Sequence, residues 1–277
     1  MSNELVLNYP VAEWKASVVA QAATAAPAAT PAVAQAPATG RRYAPGQVRA
    51  LFDAMAATYG FAPWLSGGLL GRWRRQLAAQ LPVPAPGEAV GVVDLMAGGA
   101  DLWPVLRRRL GPGLGLTAVD FSVPMLARAA RHAAGPGLML CAADALATGL
   151  PPGGAQAVTN AFGLKTLAPA AYPALAREAA RLLQPGGRLV LLEAALPARG
   201  WLRRLLPAYL GIVMPVVRWL CPAAAAHAAL AGYLRHGLDL AALRHALRQA
   251  GFGQLRQQRL WPGCAVLLTA ELPGGQS

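Results

Sequence analysis

A chain of 277 residues that is 55% hydrophobic and 13% charged can bury a full core in one large domain with appendages. Its 25 Lys+Arg against 12 Asp+Glu give a formal charge of +13, which favours polyanions, RNA and anionic bilayers alike without choosing among them. Cys141, Cys221 and Cys264 stand apart in apolar surroundings without CxxC or Cys/His ligand spacing, which argues for reduced thiols of a cytosolic protein and against a metal site or a disulfide.

The opening MSNELVLNYPVAEWKAS carries neither a basic n-region nor a long apolar h-region, so export is not expected. Residues 21–40 form an Ala/Pro/Thr tract without charge or aromatic groups. Such a tract has too few packing groups for a core, and residues 1–40 are predicted to be a disordered tail and linker. The folded domain is placed at 41–277.

Apolar residues at helical spacing (Val48, Leu51, Phe52, Met55) predict a first helix in QVRALFDAMAATYG, stopped by Gly60. A second helix is predicted in GGLLGRWRRQLAAQL, ending at the Pro-rich VPAPG. Strand-like runs AVGVVDLM, LGLTAVD, LMLCAA, AQAVTNAF and RLVLLEAA then alternate with helical DLWPVLRRRL, VPMLARAARHAA and AYPALAREAARLL, with a turn at QPGG. Short apolar runs alternating with helices imply an α/β, doubly wound, mostly parallel sheet. WLRRLLPAYLGIVMPVVRWLCP is apolar but is interrupted by Pro207, Pro215 and Arg218, too short and broken for a membrane span. A helix over LAALRHALRQAGF, stopped by Gly251, and the strands QLRQQRLW and CAVLLTAEL close the chain.

In this sparsely acidic chain, carboxylates stand at the ends of successive strands: Asp94 and Asp101 around the first, Asp120 after the second, Asp144 after the third. Ligands of open parallel sheets bind beyond those ends, where a carboxylate can accept both ribose hydroxyls, the reading given to Asp120. Gly98 and Gly99 allow a ligand close to the backbone. A dinucleotide would require G-x-G-x-x-G and a helix N-terminus open to pyrophosphate. Here the turn is Gly98-Gly99-Ala100-Asp101, and its acid suits a cation better than a phosphate. S-adenosylmethionine, with a sulfonium, an ammonium and a ribose, meets that requirement, and Asp144 with Ala145 would then face the adenine. The plainer readings are a helix cap for Asp101 and a turn residue for Asp144.

Several segments in order, Phe52-Asp53-x-Met55-Ala56-x-x-Tyr59, LSGGLLGRWRR, VVDLMAGGADL, VDFSVPML, NAFGLK, LLQPGGRLVLLE and LRQAGF, resemble the class I methyltransferases that C-methylate the ring in ubiquinone and menaquinone biosynthesis. The similarity runs from about Val48 to Ala270. It implies a Rossmann-like, seven-stranded sheet with N-terminal helices and an apolar helical cover insertion at about 198–236. The resemblance puts Gly99 in the cofactor loop, Asp120 at the ribose, Asp144 and Ala145 at the adenine, and Ala161 on the cofactor wall; Phe121, next to Asp120, is expected among the cofactor-binding residues. Tyr59 and Lys165 would face the methyl-transfer chamber. The family loop Gly-Gly-Thr-Gly reads Ala97-Gly98-Gly99-Ala100 here, the Arg of its FGLR segment is Lys165, and its Tyr-x-x-Leu-x-x-Ser cover pattern reads His227-x-x-Leu230-x-x-Tyr233.

Ring methylation needs an electron-rich carbon beside a phenolate, held in line with the methyl group. Lys165 is the candidate to stabilise that phenolate or relay its proton, and a solvated loop lysine is the alternative. Tyr59 either closes over the methionine part of the cofactor or packs the first helix on the sheet. The apolar stretch around Leu205 to Leu220, with Arg199, Arg203, Arg204 and Arg218 nearby, suits an isoprenoid tail or peripheral bilayer contact; a core or dimer-contact helix is the other reading. The expected partners are an isoprenoid-quinol substrate and the inner face of the membrane, with a homodimer or a quinone-pathway complex left open and no nucleic acid. N- or O-methylation of another small molecule or lipid, and a non-catalytic scaffold, are the competing functions.

Overall fold

The computed structural model describes residues 43–60, 66–85, 87–132, 135–197, 200, 202–220, 233 and 238–274. The tail 1–40, Cys221, His227, Leu230 and His236 lie outside the described residues.

Seven strands, β1 (Val90–Leu95), β2 (Leu114–Asp120), β3 (Leu138–Ala142), β4 (Ala155–Ala161), β5 (Leu183–Ala194), β6 (Gly253–Leu260) and β7 (Ala265–Glu271), form one sheet in the order β3-β2-β1-β4-β5-β7-β6. The first five are parallel, and β7 runs antiparallel between β5 and β6. Every residue of β1 and β2 is buried, as expected of strands covered on both faces, and their near-continuous apolar runs are the sequence trace of that burial.

Alternation along the strands divides the core in two. Val93, Leu95, Val158, Leu189 and Leu191 pack with helix α5 (Tyr172–Leu182) and helix α7 (Leu240–Gln249). Val92, Leu116, Val190 and Leu192 point the other way, onto helix α2 (Leu69–Ala78) and helix α3 (Trp103–Leu110). Each fully buried Leu or Val here contributes about 1.5–3 kcal/mol. Helix α1 (Pro45–Met55) and helix α4 (Val123–His132) lie against each other at the end of β2.

Helix α1 stops at Met55, before Gly60, and residues 56–60 form turns. Gly251 takes φ +92, its N–H donates to the Arg248 carbonyl and that of Phe252 to the Leu247 carbonyl, the left-handed stop that the sequence predicts. QPGG lies within β5 as a bulge: the register jumps between Ala155 and Ala157, and Gly186 at φ +78 donates to the Leu272 carbonyl. The apolar stretch after Pro197 is one continuous helix, α6 (Leu202–Leu220), running through both prolines. No helix among the described residues is long and apolar enough to cross a membrane.

Candidate functional site

Order β3-β2-β1-β4-β5 makes the chain leave β1 toward β2 on one side and β4 toward β5 on the other, so the connections that follow β1 and β4 diverge beyond their carboxyl ends. A cleft that opens to solvent lies there. Asp94, Met96, Ala97 and Gly98 line it from β1 and its loop, Asp120 and Phe121 from the end of β2, and Ala161, Phe162 and Gly163 from the end of β4. Phe52, Tyr59 and Arg74 close it from the N-terminal segment.

The loops that form this floor hold unusual backbone. Met96 (φ 54), Ala100 (φ 56) and Phe162 (φ 70) are left-handed without being glycine, a conformation costing about 1–2 kcal/mol at each. Gly98 (φ 56) joins them, and a Cβ there would stand 3.0 Å from Met125 Cε. At Gly163 a Cβ would come within 2.6 Å of Asn160 Nδ2 and 2.8 Å of Met96 Cβ. Asn160 ties the two strand ends together by donating to the Leu95 carbonyl (2.6 Å) and accepting from Gly163 N–H (3.3 Å).

Asp120 is 6% exposed and accepts Gly98 N–H at 2.7 Å on one oxygen and Ser122 N–H at 2.8 Å on the other. Burial raises its pKa, and these two hydrogen bonds oppose the rise. Each oxygen keeps a lone pair for a further donor, the capacity a ribose diol needs. Asp94 accepts from Thr159 Oγ1 at 2.7 Å, and burial pushes its pKa up to about 7 against the lowering effects of that bond and of Arg74. Asp101 pairs with Arg74, Nη2 to Oδ2 at 2.8 Å. Tyr59 stays a neutral phenol: burial raises its pKa, and the Asp101 carboxylate adds to the effect.

Of the residues singled out in the sequence, Tyr59, Asp94, Gly98, Asp101, Asp120, Phe121 and Ala161 converge on this cleft. Gly99 is buried behind it, where a Cβ would meet Arg128 Nε at 3.2 Å. Asp144 is exposed on the loop after β3, its Oδ1 accepting Leu146 N–H at 2.9 Å, and Ala145 is buried in the core. Lys165 turns from the cleft: its Nζ donates to the Phe162 carbonyl and pairs with Glu193 Oε1 at 3.3 Å, while Glu193 Oε2 accepts Lys165 N–H at 2.9 Å.

Arg74 is the residue that the sequence reading passed over. It sits among Leu70, Trp73, Leu77 and Ala78, the inward face of an amphipathic helix, while Arg72 and Arg75 face solvent. An arginine in phase with the apolar stripe was the available signal. Its guanidinium lies 5.5 Å over the Phe162 ring.

Against known proteins, the profile of the ubiE/COQ5 methyltransferase family matches residues 41–270. The chain belongs to that family. A demethylmenaquinone methyltransferase of Mycobacterium tuberculosis is 34% identical over 84% of this chain and 95% of its own. The ubiquinone/menaquinone biosynthesis C-methyltransferase of Caulobacter vibrioides is 29% identical over 80% of this chain and 90% of its own. A Thermus thermophilus demethylmenaquinone methyltransferase reaches 39% over 54% of this chain and 67% of its own. Among solved structures, a SAM-dependent methyltransferase from Thermotoga maritima superposes with TM-score 0.54 at 14% identity, over 80% of this chain and 98% of that one, a likeness of fold. The family member described here is an S-adenosylmethionine-dependent methyltransferase, and the two backbone donors on Asp120, with a lone pair to spare on each oxygen, fit that cofactor's ribose.

Proposed function

We propose that this methyltransferase C-methylates a quinol or naphthol ring carrying an isoprenoid tail, in ubiquinone or menaquinone biosynthesis. The observation that carries the reading is the convergence of residues from the family-matched span on one cleft with an aromatic wall, Phe52, Tyr59, Phe121 and Phe162, suited to a flat ring. The names of the relatives support the choice of ring.

S-adenosylmethionine supplies an electrophilic methyl group on a sulfonium. Asp120 accepts the ribose hydroxyls, and Phe121 covers the sugar. Gly98 lets a ligand approach the loop, Ala161 lines the opposite wall, and the loop after β3, which carries Asp144, is the side on which the adenine would lie. Asp94 and Asp101 favour the cationic end. The Tyr59 phenol remains protonated and can donate to the acceptor oxygen as charge develops there. Lys165, held by Glu193, fixes the Phe162 carbonyl and so acts as a positioning residue for the aromatic wall. Helix α6 presents Leu205, Tyr209, Ile212 and Trp219 to solvent, an apolar face suited to a bilayer that delivers a long-tailed substrate.

Purified protein, labelled S-adenosylmethionine and a reduced demethylmenaquinone or demethylated ubiquinone precursor should yield the ring-methylated product, located by mass spectrometry. Tight cofactor binding with no transfer to either ring, but transfer to an amine or hydroxyl acceptor, would sink the quinone reading. No cofactor binding would favour a scaffold.

A further inference from the structure

The geometry assigns Arg74 as the residue that receives the carboxylate of the cofactor's amino-acid end, an assignment that rests on the methyltransferase reading above. Four observations meet at this side chain. Arg74 is the one cation among the described residues lining the cleft, where Asp94, Asp101 and Asp120 supply three carboxylates. Its side chain is 9% exposed, and its Nε is buried without a hydrogen-bond partner among the described residues. A buried guanidinium N–H left unpaired costs free energy, so a ligand oxygen that fills it gains correspondingly. Its Nη2 is already fixed on Asp101, and its plane is seated over Phe162, so the remaining donors are held in place before a ligand arrives.

Charge matching selects the partner. S-adenosylmethionine carries two cationic centres and a single anion, the carboxylate. The cleft is the converse, several carboxylates and one guanidinium. An α-amino acid places its ammonium and carboxylate on one carbon, and the Asp101–Arg74 pair at 2.8 Å places an acceptor and a donor side by side to meet them. A guanidinium presents parallel N–H bonds to a carboxylate, a geometry that lysine lacks. Arg74 thereby reads the amino-acid end of the cofactor, while Asp120 reads its sugar.

The test is calorimetric and needs no methyl acceptor. Wild type and Arg74→Met, which keeps an apolar stem over Phe162, are titrated with S-adenosylmethionine and with its decarboxylated analogue. Arg74→Met should weaken S-adenosylmethionine by roughly 10- to 100-fold, the worth of a charge-assisted hydrogen-bonded pair, and leave the decarboxylated analogue within about threefold of wild type. Equal losses for both ligands would make Arg74 a mere latch between α2 and the loop after β1, and overturn the assignment. Unchanged binding of both ligands would show that Arg74 touches neither, and would overturn it equally. Arg74→Lys keeps a cation beside Asp101 and runs the same comparison should the methionine variant fail to fold. Wild type that binds neither ligand would refute the methyltransferase reading itself, a result distinct from either failure of Arg74.

Discussion

Asp94 shows how burial sets the chemistry of one side chain. Its carboxyl lies at the end of a fully buried strand, bonded to Thr159, with a pKa raised to about 7 by desolvation. A cation bound in the cleft favours the ionised form, so its arrival lowers that pKa and releases a proton. Linkage then requires the affinity for S-adenosylmethionine to rise with pH up to about 7 and to level off above it. The loss is up to about tenfold per pH unit below that point. Calorimetry across this range, in buffers of different ionisation enthalpy, should show proton release by wild type and a flatter profile for Asp94→Asn, whose amide still accepts from Thr159. A wild-type affinity independent of pH, or an equal slope in the variant, would contradict this account. Asp94 itself was legible in the sequence as an acid ending a strand. Its protonation was not, because desolvation depends on what covers the strand from both sides.

At the scale of elements, the two N-terminal helices complete a site whose floor belongs to the sheet. Helix α1 brings Phe52 to the cleft, and the turns after it bring Tyr59. The Asp53 carboxylate between them accepts from Ser122 Oγ at 2.5 Å, and the same hydroxyl accepts Met125 N–H at 3.4 Å in the first turn of α4. One serine therefore docks α1 and caps α4. Ser122→Ala should destabilise the protein by about 1–3 kcal/mol, leaving Asp53 unpaired and a helix N-terminus uncapped. Urea unfolding should show a lower midpoint with an unchanged slope, and cofactor affinity should fall because Phe52 and Tyr59 lose their anchor. A midpoint shift worth less than about 0.5 kcal/mol would show that α1 is held by its apolar contacts, Val48 and Met55, alone. The helix was legible from its 3.6-residue period; the Asp53–Ser122 bond was not, since its partners are far apart in the chain and either residue serves as well in a turn.

Across the whole molecule, the parts legible in advance were those written as local pattern. Buried parallel strands appear as short apolar runs, and acids at their carboxyl ends mark where a ligand sits, so the sheet and most of the cleft could be read directly. Pairings across the fold were hidden: Arg74 with Asp101, and Lys165 with Glu193 rather than with the cleft. The QPGG bulge misled in the other direction, because the same residues that form a free turn also form an irregular strand entry.

Helix α6 is the largest departure, since Pro207 and Pro215 read as breaks, yet the helix runs from Leu202 to Leu220. A helix can pass through a proline at the cost of one hydrogen bond and a local bend. Continuity gives its sequence a new meaning. Leu205, Tyr209, Ile212 and Trp219 follow one another at helical spacing and are 51%, 45%, 68% and 81% exposed, so they form a single apolar stripe with Arg203 and Arg204 at its N-terminal end. Sinking such a stripe into a bilayer gains about 1.5–3 kcal/mol for each large side chain fully buried, and the chain's formal charge of +13 adds attraction to anionic lipid. Wild type should therefore float with vesicles containing anionic lipid, less with neutral vesicles, and less again at high salt. Ile212→Glu with Trp219→Glu should cut the floated fraction about tenfold while leaving urea unfolding unchanged, because both side chains are already exposed. Transfer to a short-chain, water-soluble quinol should survive the double substitution, whereas transfer to a long-tailed quinol embedded in vesicles should fall with it. Wild type that stays at the bottom of the gradient, or a double variant that floats as well as wild type, would remove α6 from the membrane and return its stripe to a contact between protein chains.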